Sequence, residues 1–174
     1  MLLNPSGKLF WVTGLAGAGK STIGKLLYEH LKKNHPNTIY IDGDVMRWVL
    51  GDTTSYSPED RKRIAFQYAR FSKMLVDQDM FVVCSTISMF HEVRDWNRNN
   101  IENYKEIYIK VPLAILIGRD QKGLYTSAKK GEQGHVIGIN QDFEEPKSPD
   151  IVLLNDGSQT PPQILDILLK ELNL

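Results

Sequence analysis

Cysteine is nearly absent, with Cys84 alone among 174 residues. An internal disulfide is excluded, which suits a reducing compartment. No apolar run approaches the ~20 residues of a membrane-spanning helix, so no membrane partner is expected. The opening Met-Leu-Leu-Asn-Pro-Ser-Gly-Lys has no basic stretch followed by an apolar one, and no secretory signal is expected. Excess charge of either sign is also missing, since 21 Lys and Arg balance 21 Asp and Glu. That removes a global attraction to nucleic acid or anionic lipid and leaves a local anion site open. The histidines His30, His35, His91 and His135 lack ligand spacing, and no structural metal is inferred. Repeats, low-complexity tracts and interdomain linkers are lacking too. What remains is 41% hydrophobic and 24% charged, the balance of an ordinary globular protein. The length suits a single domain, residues 1–174, expected in the cytoplasm.

Short apolar runs alternate with helical patterns, which predicts an α/β fold with about five parallel strands flanked by helices. Strands are expected at Leu9–Thr13, Thr38–Ile41, Phe81–Cys84, Ile107–Val111 and Ile151–Leu154. Lys20 to about Lys33 reads as a helix with Ile23, Leu26, Leu27 and Leu31 on one face. Ser57-Pro-Glu-Asp60 reads as a capped helix start, followed by Ile64, Ala65, Tyr68, Phe71, Leu75 and Val76 facing inward. Pro112 opens a helix to about Arg119, and Thr160-Pro-Pro-Gln163 caps a terminal one. Residues 121–148 differ: Gly123, Gly131, Gly134, Gly138 and Pro146 interrupt many charges, and a long mobile lid is expected there.

Gly14-Leu-Ala16-Gly17-Ala18-Gly19-Lys20-Ser21 matches the phosphate-binding loop, and it lies between a predicted strand and a predicted helix, as that motif requires. Glycines let consecutive backbone N–H groups curl around phosphate oxygens. The helix that follows presents its positive end to the anion. Lys20 then neutralises the β and γ phosphates, and the Ser21 hydroxyl is placed to ligate Mg²⁺. ATP and Mg²⁺ are the expected cofactors. An Asn-Lys-x-Asp guanine-reading segment is lacking, so a GTPase fits poorly and a small-molecule kinase with a lid fits better.

Asp42 and Asp44 end the second strand, where ligands bind in open α/β sheets. Two apart in an extended segment they point the same way. One carboxylate is a candidate proton acceptor and the other a support for a Mg²⁺-bound water. A solvated Asp-Gly-Asp turn is the plainer alternative. Arg119, Lys122, Lys129 and Lys130 are placed as lid cations over a transferring phosphate, although charge in a loop is commonly solvation. Cys84, at a buried strand's end, reads as core rather than nucleophile.

With these motifs in hand, the chain resembles the adenylylsulfate kinase family of P-loop kinases over nearly its whole length. The resemblance rests on Gly14–Thr22, Asp42-Gly-Asp-x-x-Arg47 and Ser57-Pro-Glu-Asp-Arg61. Further along it rests on Ser85-Thr-Ile-Ser88, Arg119-Asp-x-Lys122-Gly123-Leu124-Tyr125 and Gly138-Ile-x-x-x-Phe-Glu-x-Pro146. It implies transfer of the γ-phosphoryl of MgATP to the ribose 3′-hydroxyl of adenylylsulfate, a small-molecule nucleotide acceptor, by a homodimer. Asp42 would be the base, with Asp44 supporting metal and substrate. Arg47 and Arg61 would grip the acceptor's phosphate or sulfate, and Tyr56 would stack on its base. Ser88, Lys122, Gly123 and Leu124 would complete the acceptor pocket, while Arg119 and Thr22 would serve the nucleotide.

Departures from the family pattern fall on the acceptor side. Where the family has Asn and then paired Arg, this chain has Ile64, Phe66 and Gln67. The family's Ser-Pro-Tyr-Arg-like turn is Ser88-Met-Phe-His91. Val136, beside His135, takes the place of a lid phenylalanine. A lost hydrogen bond to the acceptor is worth on the order of 1–3 kcal/mol, so several losses change substrate preference. The alternative acceptor is cytidine diphosphoramidate, used in capsule modification, and a nucleotide-binding module without catalysis is the remaining alternative.

Overall fold

Apolar β-branched and aromatic residues define the strands, and helices between them return the chain so that every strand runs the same way. The computed structural model describes residues 6–51, 57–120, 123–129 and 142–174. In chain order the elements are β1 (Lys8–Thr13), α1 (Lys20–Asn34), β2 (Thr38–Asp42), α2 (Gly43–Val49), α3 (Pro58–Val76) and β3 (Phe81–Ser85). They continue with α4 (His91–Asn100), β4 (Tyr104–Lys110), α5 (Leu113–Arg119), α6 (Leu124–Lys129), β5 (Ile151–Leu154) and α7 (Pro161–Leu172). The strands form one parallel sheet in the order β2-β3-β1-β4-β5. This is the architecture of a P-loop kinase, as expected.

Alternation along β1 divides the core. Phe10 and Val12 face a layer built with Ile23, Leu27, Leu116, Ile164 and Leu168. Leu9 and Trp11 face the opposite layer, with Ile64, Ala65, Tyr68, Ala69 and Val93. Cys84 lies wholly buried in that second layer, and burial pushes its thiol up to about 12. It is a core residue, as its strand position suggests.

Three expectations change. Phe71 is 38% exposed, and Ala69 and Ser72 face inward instead. Phe71 falls roughly 100° around the helix from the middle of the buried stripe. Helices α2 and α4 were not anticipated, because α2 leaves β2 without a loop and α4 carries few apolar residues. Residues 121–148 are not irregular throughout, since α6 lies among them. The remainder of the expected lid lies largely outside the described residues. Both expected helix caps are present. Ser57 accepts from the Asp60 N–H at 3.2 Å, and Gln163 accepts from the Thr160 N–H at 2.8 Å.

Candidate active site

The site is assembled at the carboxyl ends of β1, β2 and β3, the edge where open parallel sheets bind ligands. Leaving β1, the chain turns through Gly14, Gly17 and Gly19, with φ of 153°, 75° and 94°. Gly19 must be glycine: an added Cβ would stand 2.6 Å from Asn155 Nδ2. At Gly14 it would stand 2.6 Å from the Ile109 carbonyl.

Four carbonyls of this loop are engaged by side chains, one from Lys20 of the loop itself and three from outside it. Lys20 Nζ donates to the Leu15 carbonyl at 2.8 Å, and the Tyr125 hydroxyl donates to Ala16 at 2.8 Å. Arg119 Nη1 reaches Gly17 at 3.5 Å, and Asn155 Nδ2 donates to Ala18 at 2.8 Å. With these carbonyls occupied, the loop can present N–H groups to an anion at the start of α1. Sequence reasoning has Tyr125 only as part of the Arg119–Tyr125 motif and misses Asn155. They lie 109 and 137 residues from the carbonyls they engage, and no local pattern announces such a contact. Arg119 sits at this rim, its Nη2 2.9 Å from the Asn155 carbonyl, rather than out on a lid.

Asp42 ends β2 and caps α2. Its Oδ1 accepts from the Asp44 N–H at 3.0 Å, so Asp44 belongs to a helical first turn and not to an extended segment. The expected geometry is corrected, yet both carboxylates still act on the same cation. Enclosure lowers the Lys20 ammonium to about 8, and Asp44 and then Asp42 pull it partly back up. Asp42 Oδ2 accepts from Ser21 Oγ at 2.7 Å and from the Tyr40 hydroxyl at 3.1 Å. Burial raises the Tyr40 phenol, which keeps it a donor.

A hydroxyl beside a carboxylate suits Mg²⁺, which takes one or two protein oxygens together with phosphates and water. Among the described residues no cluster of three His, Cys, Asp or Glu forms a metal site of its own. The residues present fit MgATP: the Gly14–Ser21 cradle for phosphates, and Ser21 with Asp44 for the cation, beside Asp42.

Of the residues expected to hold the acceptor, Arg47 lies on α2 and Arg61 in the first turn of α3. Ser88 follows β3 with φ 27°, is 6% exposed, and among the described residues its Oγ has no hydrogen-bond partner. A left-handed non-glycine residue costs on the order of 1–3 kcal/mol, so its surroundings must hold it. Ile64 and Met89 are 3% and 2% exposed, and Phe66 packs edge-on to Trp96 at 6.5 Å. Gly123 precedes α6 with φ 67°, and the backbone of Leu124 begins that helix. Tyr56, Lys122 and Val136 lie outside the described residues.

The family model for adenylylsulphate kinase matches residues 6–154. Cytidine diphosphoramidate kinase of Campylobacter jejuni is 44% identical over 166 residues, covering 95% of this chain and 96% of that one. Adenylyl-sulfate kinase of Paraburkholderia xenovorans is 36% identical over 151 residues, covering 86% and 84%. Among solved structures, Mycobacterium tuberculosis APS kinase in complex with AMPPNP and APS superimposes with a TM-score of 0.87. Its identity is 30%, over 98% of this chain and 99% of that one. Motif, fold and kinship agree: this chain is a kinase and belongs to the adenylylsulphate kinase family.

Proposed function

We propose that the protein transfers the γ-phosphoryl group of MgATP to the ribose 3′-hydroxyl of an activated nucleotide, and that this acceptor is cytidine diphosphoramidate. One observation carries the choice of acceptor. Ile64 and Phe66, which stand where the family has polar acceptor contacts, are apolar: Ile64 is buried in the core layer of α3 and Phe66, half-buried, packs against it. Side chains so placed offer no hydrogen bond to an adenine nucleotide. The 44% identity to cytidine diphosphoramidate kinase over nearly both lengths supports the same reading. Adenylylsulfate is the second reading, favoured by the family match and by the retained Arg47 and Arg61.

In this reading MgATP supplies the phosphoryl group and the charge neutralisation that the cation brings. The Gly14–Thr22 loop, Lys20 and Arg119 hold the phosphates. Arg47, Arg61, Tyr56, Ser88 and the Lys122–Leu124 strip hold the acceptor. Asp42, fixed by Ser21, Tyr40 and the Asp44 amide, receives the acceptor's hydroxyl proton as its oxygen bonds to phosphorus and the bond to ADP breaks. Phosphoryl transfer leaves the protein mostly positioning and electrostatics, which suits so rigidly held a carboxylate. A cytoplasmic homodimer belongs to the same proposal, on the family resemblance. Among the described residues no helix is long and apolar enough to cross a membrane.

The test is ADP release with cytidine diphosphoramidate, with adenylylsulfate and with no acceptor. Turnover of the cytidine compound alone is the expected result. Turnover of adenylylsulfate alone would select the second reading. Asp42→Asn keeps a good helix cap, and should lower turnover by about 10²–10⁴-fold while ATP binding survives. Undiminished turnover in that variant would remove Asp42 as the base.

A further inference from the structure

The turn after β3 and the stretch that leads into β5 are distant in sequence and locked together in space. Glu144 donates its backbone N–H to the Met89 carbonyl at 3.2 Å. Its carboxylate accepts from the His91 N–H. Arg94 closes the other side: its backbone N–H donates to Phe90 at 3.3 Å, and its Nη2 donates to the Glu144 carbonyl at 2.7 Å. The same Nη2 lies 2.7 Å from His91 Nδ1. Arg94 is itself 3% exposed and ion-paired to Glu106 at 3.3 Å, so the clamp is anchored in the core.

Ser88, Met89 and Phe90 are thus held between two fixed elements. A left-handed Ser88 with a buried hydroxyl that has no partner among the described residues does not keep that shape unaided. We infer that Glu144, with Arg94, is a positioning residue for the phosphoryl acceptor: it holds the Ser88–His91 turn in the shape that receives the acceptor nucleotide. This rests on the reading that places the acceptor at Ser88. It assigns Glu144 an effect on the acceptor alone, since the Gly14–Thr22 loop, Arg119 and Asn155 serve the phosphate donor.

Glu144 is exposed, so Glu144→Ala leaves the core intact while removing the acceptor of the His91 N–H. Glu144→Gln keeps an oxygen there. Two measurements on the whole protein test the inference. Hydrogen exchange over residues 86–92, without any substrate, should quicken in Glu144→Ala and return toward the parent rate in Glu144→Gln. Steady-state kinetics use whichever of cytidine diphosphoramidate and adenylylsulfate the parent protein turns over. The acceptor KM should rise about tenfold in Glu144→Ala, the loss of one charge-assisted hydrogen bond. The ATP KM and kcat should stay within about threefold, and Glu144→Gln should restore most of the acceptor KM.

Unchanged exchange would show that Glu144 does not hold the turn and would overturn the inference. So would quickened exchange with an unchanged acceptor KM, or an equal rise in both KM values. Failure of the parent protein to turn over either acceptor would instead defeat the proposed function, and this inference with it.

Discussion

Lys20 shows how one side chain couples charge, burial and ligand. Enclosure in the loop lowers its ammonium to about 8 from the ordinary 10.5. Between those two values the unfolded chain keeps a proton that the folded protein has already released. Stability without nucleotide therefore gains from this residue as pH rises through that window. Phosphate reverses the preference, because only the charged ammonium neutralises the anion. At pH 9 about one Lys20 in ten is charged, and the dissociation constant of an ATP analogue with Mg²⁺ should be about tenfold higher than at pH 7. Calorimetric titration at pH 7, 8 and 9 reads this directly. A flat profile would mean that Lys20 stays charged throughout. Lys20→Met should bind weakly with no such slope.

At the scale of elements, the phosphate loop is shaped from behind as much as from within. Asp120, left-handed with φ 35°, caps α6 by accepting from the Tyr125 N–H at 2.8 Å and the Thr126 N–H at 3.1 Å. That cap directs the Tyr125 hydroxyl to the Ala16 carbonyl. Tyr125→Phe removes one hydrogen bond without opening a cavity, a loss of about 0.5–1.5 kcal/mol. Affinity for the ATP analogue should fall about threefold to tenfold with the thermal midpoint little changed. Unaltered affinity would show that the loop keeps its shape without Tyr125. The strands, α1, α3 and α7 are legible in the sequence from their apolar residues, and α5, which buries only Leu116, from the Pro112 that opens it. So is the phosphate loop, whose glycines and Lys20 act within eight residues. Asp42 is legible as a residue but not as a helix cap, because Asp-Gly-Asp reads equally well as an extended turn. The contacts of Tyr125, Asn155 and Glu144 are illegible for a different reason, although Tyr125 and Glu144 belong to the motifs that carry the family resemblance. Their partners are 109, 137 and 53 residues away, and only the fold brings them together.

For the molecule as a whole, a buried charge network joins the acceptor turn to the sheet. Glu106 on β4 is 3% exposed and pairs with Arg94 at 3.3 Å and Arg98 at 3.0 Å. Asp150, just before β5, accepts from the Glu106 N–H at 2.9 Å and from Lys105 at 3.1 Å. Burial pushes the Glu106 carboxyl up, and the two guanidiniums pull it back. Glu106→Ala would strand the buried Arg94 charge, a loss of about 3–5 kcal/mol, out of about 5–15 kcal/mol for an entire domain. The urea midpoint should drop accordingly, whereas Asp77→Ala, which breaks an exposed pair with Lys73 at 2.8 Å, should change stability by under about 1 kcal/mol. Replacing both partners, Arg94→Met with Glu106→Met, leaves no buried charge stranded, since the half-exposed Arg98 keeps Asp150 at 3.5 Å, and should recover most of the stability. It cannot recover the contact from Arg94 to the Glu144 carbonyl. The double variant should therefore fold nearly as well as the parent and yet bind its acceptor more weakly, with the ATP KM preserved. If acceptor affinity returned together with stability, Arg94 would serve the fold alone. If it stayed weak in a stable protein, the same guanidinium holds the sheet together and shapes the pocket.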